Sequence, residues 1–150
     1  MNAEELTATL AGLAQEYLLG HEDCLTKAVD HLVQVGPLET MQVSAALSAG
    51  ACRSMKKRAG EDFYRAALVK VGPDGIRRPH PVEEAPAPIR IGLQMGVACL
   101  NRDEVTLMSL WNGHVDGDAA KAVELLGCLL TMYMKEHYGD LVGPGDPSGN

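Results

Sequence analysis

Asn112, His114, Asp116 and Asp118 stand at alternate positions of the segment NGHVDGD, with Gly117 before the last. Oxygen and nitrogen ligands two residues apart, with a glycine to bend the chain, are the parts of a calcium loop. The register fails, however. Such a loop needs a carboxylate at its first position and a bidentate glutamate at its twelfth. Counted from Asn112, the third position is His114 and the twelfth is Val123. Starting one residue later brings Glu124 to the twelfth place but puts Gly113 and Val115 where ligands belong. The segment reads instead as a turn, with Asn112-Gly113 reversing the chain and Asp116 or Asp118 capping the helix that follows.

Other chemical patterns fare no better. HEDCL at 21–25 lacks the second histidine of a zinc-protease helix, because Leu25 holds its place. The chain has no nucleophile elbow, no phosphate-binding glycine loop and no dinucleotide turn, and His31, His114 and His137 share no spacing that defines a site. Cys24, Cys52, Cys99 and Cys128 stand singly among Ala, Leu and Met, without the paired spacing of zinc or redox sites, and read as reduced thiols buried as small hydrophobes. No catalytic residue, metal site or cofactor is expected, and the chain does not read as an enzyme.

Charge is more informative. Residues 1–52 carry one Lys against seven acids, residues 53–90 nine Lys and Arg against five, and residues 91–150 three against eight, within a net charge of −7. A basic middle thus lies between acidic flanks. Its candidate contacts to phosphate or to an acidic partner are Arg53, Lys56 and Lys57, set on adjoining helical positions, with Arg58 nearby and Arg77 and Arg78 in a following loop. No aromatics interleave with the cluster for base stacking, and the acidic flanks would repel a duplex. An acidic protein surface, another copy of the chain included, fits this pattern better than nucleic acid does.

The elements that must position these groups are mostly helices. Leu6, Leu10, Leu13 and Tyr17 share one face of a first helix ending at Gly20. Leu25, Ala28, Val29 and Leu32 do the same in a second, which stops at Gly36. Pro37 then opens a third, running to Lys57, whose Ala45, Ala46, Ala49, Gly50 and Ala51 leave room for a close neighbour. Residues 62–79 fit a helix or a short β-hairpin, the second because VKVGPDGIRR alternates into a Gly-Pro-Asp-Gly turn. The prolines of RPHPVEEAPAP predict an extended connector at 79–88. Ile89, Leu93, Val97 and Leu100 line a fourth helix, which Asn101 closes in a left-handed cap, and Asp103 opens the next.

The last helix, DAAKAVELLGCLLTMYMKEHYG, has one narrow polar stripe of Lys121, Glu124 and Thr131 and is apolar elsewhere. Such a helix is central to a core or covered by a second subunit. Apolar residues make up 46% of the chain but aromatics only 4%, which limits what the other helices can offer, so pairing between two copies is expected. Leu125, Cys128 and Met132 would face the partner, and Leu126, Leu129, Leu130 and Tyr133 their own core. The fold class is mainly α: about six helices in a single domain over 1–139, in two halves, with a flexible Gly- and Pro-rich tail at 140–150.

ACLNRDEVTLMSLW, followed by an acidic loop and a Leu-rich helix, resembles a pattern common in small uncharacterised helical proteins of actinobacteria and their phages. The resemblance covers residues 62–138 and centres on Leu100, Asn101 and Asp103. It implies a bacterial or phage setting and no activity. The start MNAEELTATL has two glutamates and no basic region before an apolar core, and no apolar run is long enough to span a bilayer, so a cytoplasmic protein is expected. These readings converge on a small, self-associating protein-interaction or adaptor protein. The alternative is a nucleic-acid-associated regulator using the basic segment 53–78.

Overall fold

A computed structural model of the chain describes residues 2–138. Six helices and one two-stranded antiparallel hairpin make up the domain. They run α1 (Ala3–Leu19), α2 (Glu22–Val35), α3 (Pro37–Ala51), β1 (Leu68–Val71), β2 (Arg77–His80), α4 (Ala87–Leu100), α5 (Glu104–Val115) and α6 (Ala119–Tyr138). None of the described helices is long and apolar enough to cross a membrane.

Local chemistry accounts for the helix ends. Asn2 and Glu5 form a reciprocal capping box that satisfies two of the free N–H groups at the start of α1. Gly20 ends that helix with φ +72°, a left-handed conformation that glycine adopts without a Cβ penalty. Gly36 both closes α2 and precedes Pro37, whose missing N–H costs nothing in a first turn. The buried Thr40 hydroxyl donates to the carbonyls of Gly36 and Leu32, at 2.7 and 3.0 Å, locking the end of α2 to the start of α3.

The core is organised around α6. Leu125, Leu126, Leu129, Leu130 and Met134 are sealed from solvent, and α6 touches all five other helices, α3 and α4 most extensively. The helix apolar nearly all round is therefore largely covered by its own chain. Leu125, expected to face a partner, is fully buried in the core. Cys128 and Met132 are half-buried, and Met132 packs against the core beside Gly92 of α4. Small residues make this coverage possible without many aromatics: helices that meet at glycine, alanine and serine come close enough for Leu and Met alone to fill the space between them.

The close approaches are specific. A Cβ on Gly96 would lie 2.7 Å from the Ser48 carbonyl oxygen and collide with the Cys52 sulfur, so α3 and α4 touch backbone to backbone there. One on Gly92 would lie 2.7 Å from Leu129 Cδ2, and one on Gly50 would overlap the Tyr133 ring. The small positions of α3 thus receive α4 and α6, as its composition suggests. The phase of α4 differs from the expected one: Met95 and Ala98 are buried with Gly92, Leu93 and Gly96, whereas Ile89, Val97 and Leu100 are half-exposed. In α2, Val29 and Val33 are buried and Ala28 faces solvent.

Several boundaries move. Helix α3 stops at Ala51, so Arg53 to Arg58 lie in turns and coil rather than on a helix. Residues 68–80 form the hairpin, with Gly72 to Gly75 at its tip, and not a helix. The Pro-rich connector is partly regular: Pro79 and His80 belong to β2, Val82–Glu84 is a 3₁₀ turn, and Pro88 sits in the first turn of α4. Pro79 is tolerated because a two-stranded sheet has only edges. Asn101 is right-handed, and Arg102 (φ 55°) takes the left-handed position. Asn112 and Gly113 lie inside α5; the chain reverses at Asp116 and Gly117, both at positive φ, and Asp118 caps α6. The expected tail at 140–150 lies outside the described residues.

Replacing Leu125 with Glu should abolish the cooperative melt followed by circular dichroism. A carboxylate without partners at a sealed site costs several kcal/mol, comparable with the ~5–15 kcal/mol total of an ordinary domain. A folded, monomeric L125E protein would contradict the central placement of α6.

Glycine-to-alanine changes should have opposite signs at two sites. Gly96→Ala forces α3 and α4 apart and should cost about 1–3 kcal/mol in denaturant unfolding. Gly127→Ala, where a Cβ would meet nothing within 4 Å, should gain about 0.5–1 kcal/mol from helix propensity.

Candidate functional site

Two places bring chemistry-bearing side chains together. The larger is the limb between α3 and α4. The chain leaves α3 at Cys52, whose thiol is buried against α4 and pushed up to about 11 by desolvation, with Cys99 and Glu136 adding to the effect. Partial burial also raises the Cys99 and Cys128 thiols, with Glu124 adding at Cys128, but only Cys52 is fully buried as the sequence suggests. Cys24 departs from that expectation and is exposed.

Just beyond Cys52, Glu136 of α6 takes an ion pair from Arg53 Nε at 3.5 Å and a hydrogen bond from the Ser54 hydroxyl. Tyr64 is then pinned by its backbone. Its N–H donates to Asn101 Oδ1 at 2.7 Å, and Asn101 Nδ2 donates to its carbonyl at 3.0 Å. A side-chain amide thereby pairs with one residue's backbone as a neighbouring strand would, and fastens the limb to the end of α4. The role of Asn101 is this clamp; the sequence signal at that position, a polar residue closing an apolar helix, reads equally well as a cap.

Between these anchors the cations are exposed. Lys57 Nζ lies 5.4 Å from the centroid of the Tyr64 ring, and Arg65 lies 4.9 Å from that of Phe63 while also bonding Glu61 at 2.9 Å. Aromatics absent from the local sequence around Lys56 to Arg58 therefore do meet cations in space. In the hairpin, Lys70 and Arg78 face each other across the ladder, an unfavourable like-charge pair. Asp74 at the tip answers it, taking Arg78 in two hydrogen bonds at 3.1 and 2.7 Å and accepting from the Ile76 N–H at 3.0 Å. These bonds, Arg78 first, hold its carboxyl below the usual carboxylate range. Among the described residues the two strands pair mainly with each other and make few contacts with the helices.

The six expected cations thus divide. Arg53 and Arg78 have carboxylate partners within the chain. Lys56, Lys57, Arg58 and Arg77 are exposed and form no ion pair among the described residues. The 53–58 segment and the Arg77–Arg78 pair belong to two parts of the limb that joins α3 to α4.

The second place is the corner between α1 and α2, where Glu16, His21 and Cys24 bring one ligand atom each to within 4.8 Å of one another. Neither the zinc-protease pattern nor paired-cysteine spacing would have revealed this group, because the left-handed turn at Gly20 creates it. The 112–118 segment forms no such group. A further cleft of about 390 Å³ lies among Val33, Thr40, Trp111, Val115 and Ala122.

No family model matches the chain, and no curated protein or solved structure matches it.

The amide clamp is testable. Asn101→Ala leaves two backbone groups of Tyr64 without their partners and should cost about 1–2 kcal/mol. Hydrogen exchange at the Tyr64 amide should accelerate by more than the global loss explains, and unchanged protection there would remove the clamp's role in fixing the limb.

Proposed function

We propose that this chain is a protein-interaction or adaptor module that presents its basic limb, residues 53–80, to an acidic protein surface. The observation that carries this reading is the state of four cations. Lys56, Lys57, Arg58 and Arg77 remain exposed and unpaired among the described residues, in a chain whose net charge is −7. A protein with that many carboxylates has ample means to neutralise four cations internally. Leaving them exposed on the segment between α3 and α4 instead offers positive potential where a partner can meet it, which steers association and sets orientation. The acidic flanks make a second copy of the chain one partner of suitable charge, so self-association through limb and flank belongs to the same reading.

A nucleic-acid reading draws support from a separate observation: Phe63 is exposed and Tyr64 half-exposed beside Arg65 and Lys57. Aromatic faces next to cations are how single strands are held. The overall acidity works against it, because approach to any polyanion must overcome the repulsion of both flanks.

The variant carrying Lys56→Gln, Lys57→Gln, Arg58→Gln and Arg77→Gln should keep the wild-type melting temperature, since exposed charges without partners contribute little to stability. Binding to a glutamate-rich polypeptide at low ionic strength should weaken by at least about tenfold. Sedimentation of the wild type at low and high salt shows whether a second copy is the partner. A wild type that ignores the acidic polypeptide yet shifts single-stranded nucleic acid would replace this reading with the second one.

A further inference from the structure

We propose that the corner between α1 and α2 is a binding site for a zinc-class divalent cation, with Glu16, His21 and Cys24 as its ligands. This site is independent of the basic limb. Three different ligand types converge on one point: a carboxylate from the last turn of α1, an imidazole from the turn, and a thiol from the first turn of α2, each with an atom within 4.8 Å of the others. Carboxylate, imidazole and thiolate together suit zinc or cobalt, and the sulfur selects against calcium and magnesium.

The backbone sets this geometry before any ion arrives. Gly20, at φ +72°, donates to the carbonyls of Glu16 and Tyr17, and the His21 N–H also donates to the Glu16 carbonyl, at 3.1 Å. Glu16 and His21 are thereby tied through the main chain, and their side chains meet at 2.9 Å, Nδ1 to Oε2. His21 sits at the N-cap of α2 but makes no capping bond with its ring, so the imidazole is free to turn toward Glu16 and Cys24.

Charge and protons balance. The ion binds the Nδ1 lone pair of the neutral His21 ring in its Nε2–H tautomer. A proton formerly on Nδ1 is released to solvent (from the cation) or exchanged through solvent to Nε2 (in the neutral ring), and the ion displaces the Cys24 thiol proton to solvent. A dication held by one carboxylate and one thiolate is neutral at the site. Glu22 and Asp23, exposed in the first turn of α2, add negative potential that draws a cation in.

Three protein ligands leave a fourth position open, the arrangement of sites that take water or an exogenous ligand. Beside the cluster lies a cleft of about 300 Å³, lined by Glu16, Tyr17, Gly20, Glu22, Leu25 and Thr26. It shares Glu16 with the ligand set, so a water or small anion on the metal has a place to stand, with the Glu22 carboxylate nearby.

The test uses cobalt as a spectroscopic stand-in on the full, reduced, tag-free chain. Titration should give one equivalent of bound cobalt, with a thiolate-to-cobalt charge-transfer band and visible ligand-field bands of four-coordinate intensity, all bleached by zinc. Cys24→Ser should remove the charge-transfer band, while Cys128→Ser keeps it. His21→Gln and Glu16→Gln should each weaken binding by more than the roughly tenfold typical of losing even an outer-shell partner. Zinc should raise the melting temperature of the wild type and not of Cys24→Ser, and calcium should move neither. Circular dichroism shows whether each variant keeps its helices, and the His21 and Glu16 variants carry the test if Cys24→Ser does not fold. Absence of the charge-transfer band in the wild type, or its persistence in folded Cys24→Ser, would overturn the site.

Discussion

The constraint on which the rest of this fold depends is that α6 must be covered on nearly every side. Its buried face includes Leu125, Leu126, Leu129, Leu130 and Met134, while Lys121, Glu124 and the two ends of the helix meet water freely. One domain can surround a helix in this way only if the surrounding helices also touch each other. That demand explains the glycines of α4 and the small residues of α3. Gly92 admits Leu129, Gly96 admits the backbone of α3, and Gly50 admits the ring of Tyr133. The usual alternative, filling wide gaps with aromatic side chains, is closed to a chain with a single Trp and a single Phe.

The same constraint separates structure from interaction. Because the helices spend their apolar faces on α6, the segment between α3 and α4 is left with little to bury. It is held instead by polar devices: Glu136 collecting Arg53 and Ser54, and Asn101 gripping the backbone of Tyr64. The hairpin beyond is stabilised by its own ladder and by Asp74 at its tip. Anchored to α6 and to the end of α4, the limb displays exposed cations without the desolvation that burial would impose on them. Electrostatics and packing therefore occupy different parts of the molecule.

The α1–α2 corner follows another route to local order. There the backbone alone, through a glycine in the left-handed region, fixes the angle between two helices and with it the separation of Glu16 from His21. Exposed groups held together by a main-chain turn incur less entropy on ligand binding than groups that must be gathered. The turn at Asp116 and Gly117 also uses positive φ, yet the acid it leads to, Asp118, caps α6. Similar residue types thus serve different ends according to where the turn points them.

What the sequence determined by itself is what repeats locally. The spacing of Leu6, Leu10, Leu13 and Tyr17, the stops at Gly20 and Gly36, the start at Pro37, the opening of α5 by Asp103 and the all-round apolarity of α6 are short-range properties, and each holds in the fold. The mainly helical class follows from them. Periodicity reports which face of an element is apolar, but not what covers it. Whether Leu125 was core or interface was decided by how closely α3 and α4 approach α6, through contacts that join residues far apart in sequence. Competing short-range signals left 62–79 open, and strand pairing resolved it. The cations of the limb were legible as a charge excess; which of them stay unpaired depended on Asp74 and Glu136, one at a turn and one on the last helix. The convergence of Glu16, His21 and Cys24 depended on the direction in which Gly20 turns the chain, a backbone angle that no residue spacing encodes.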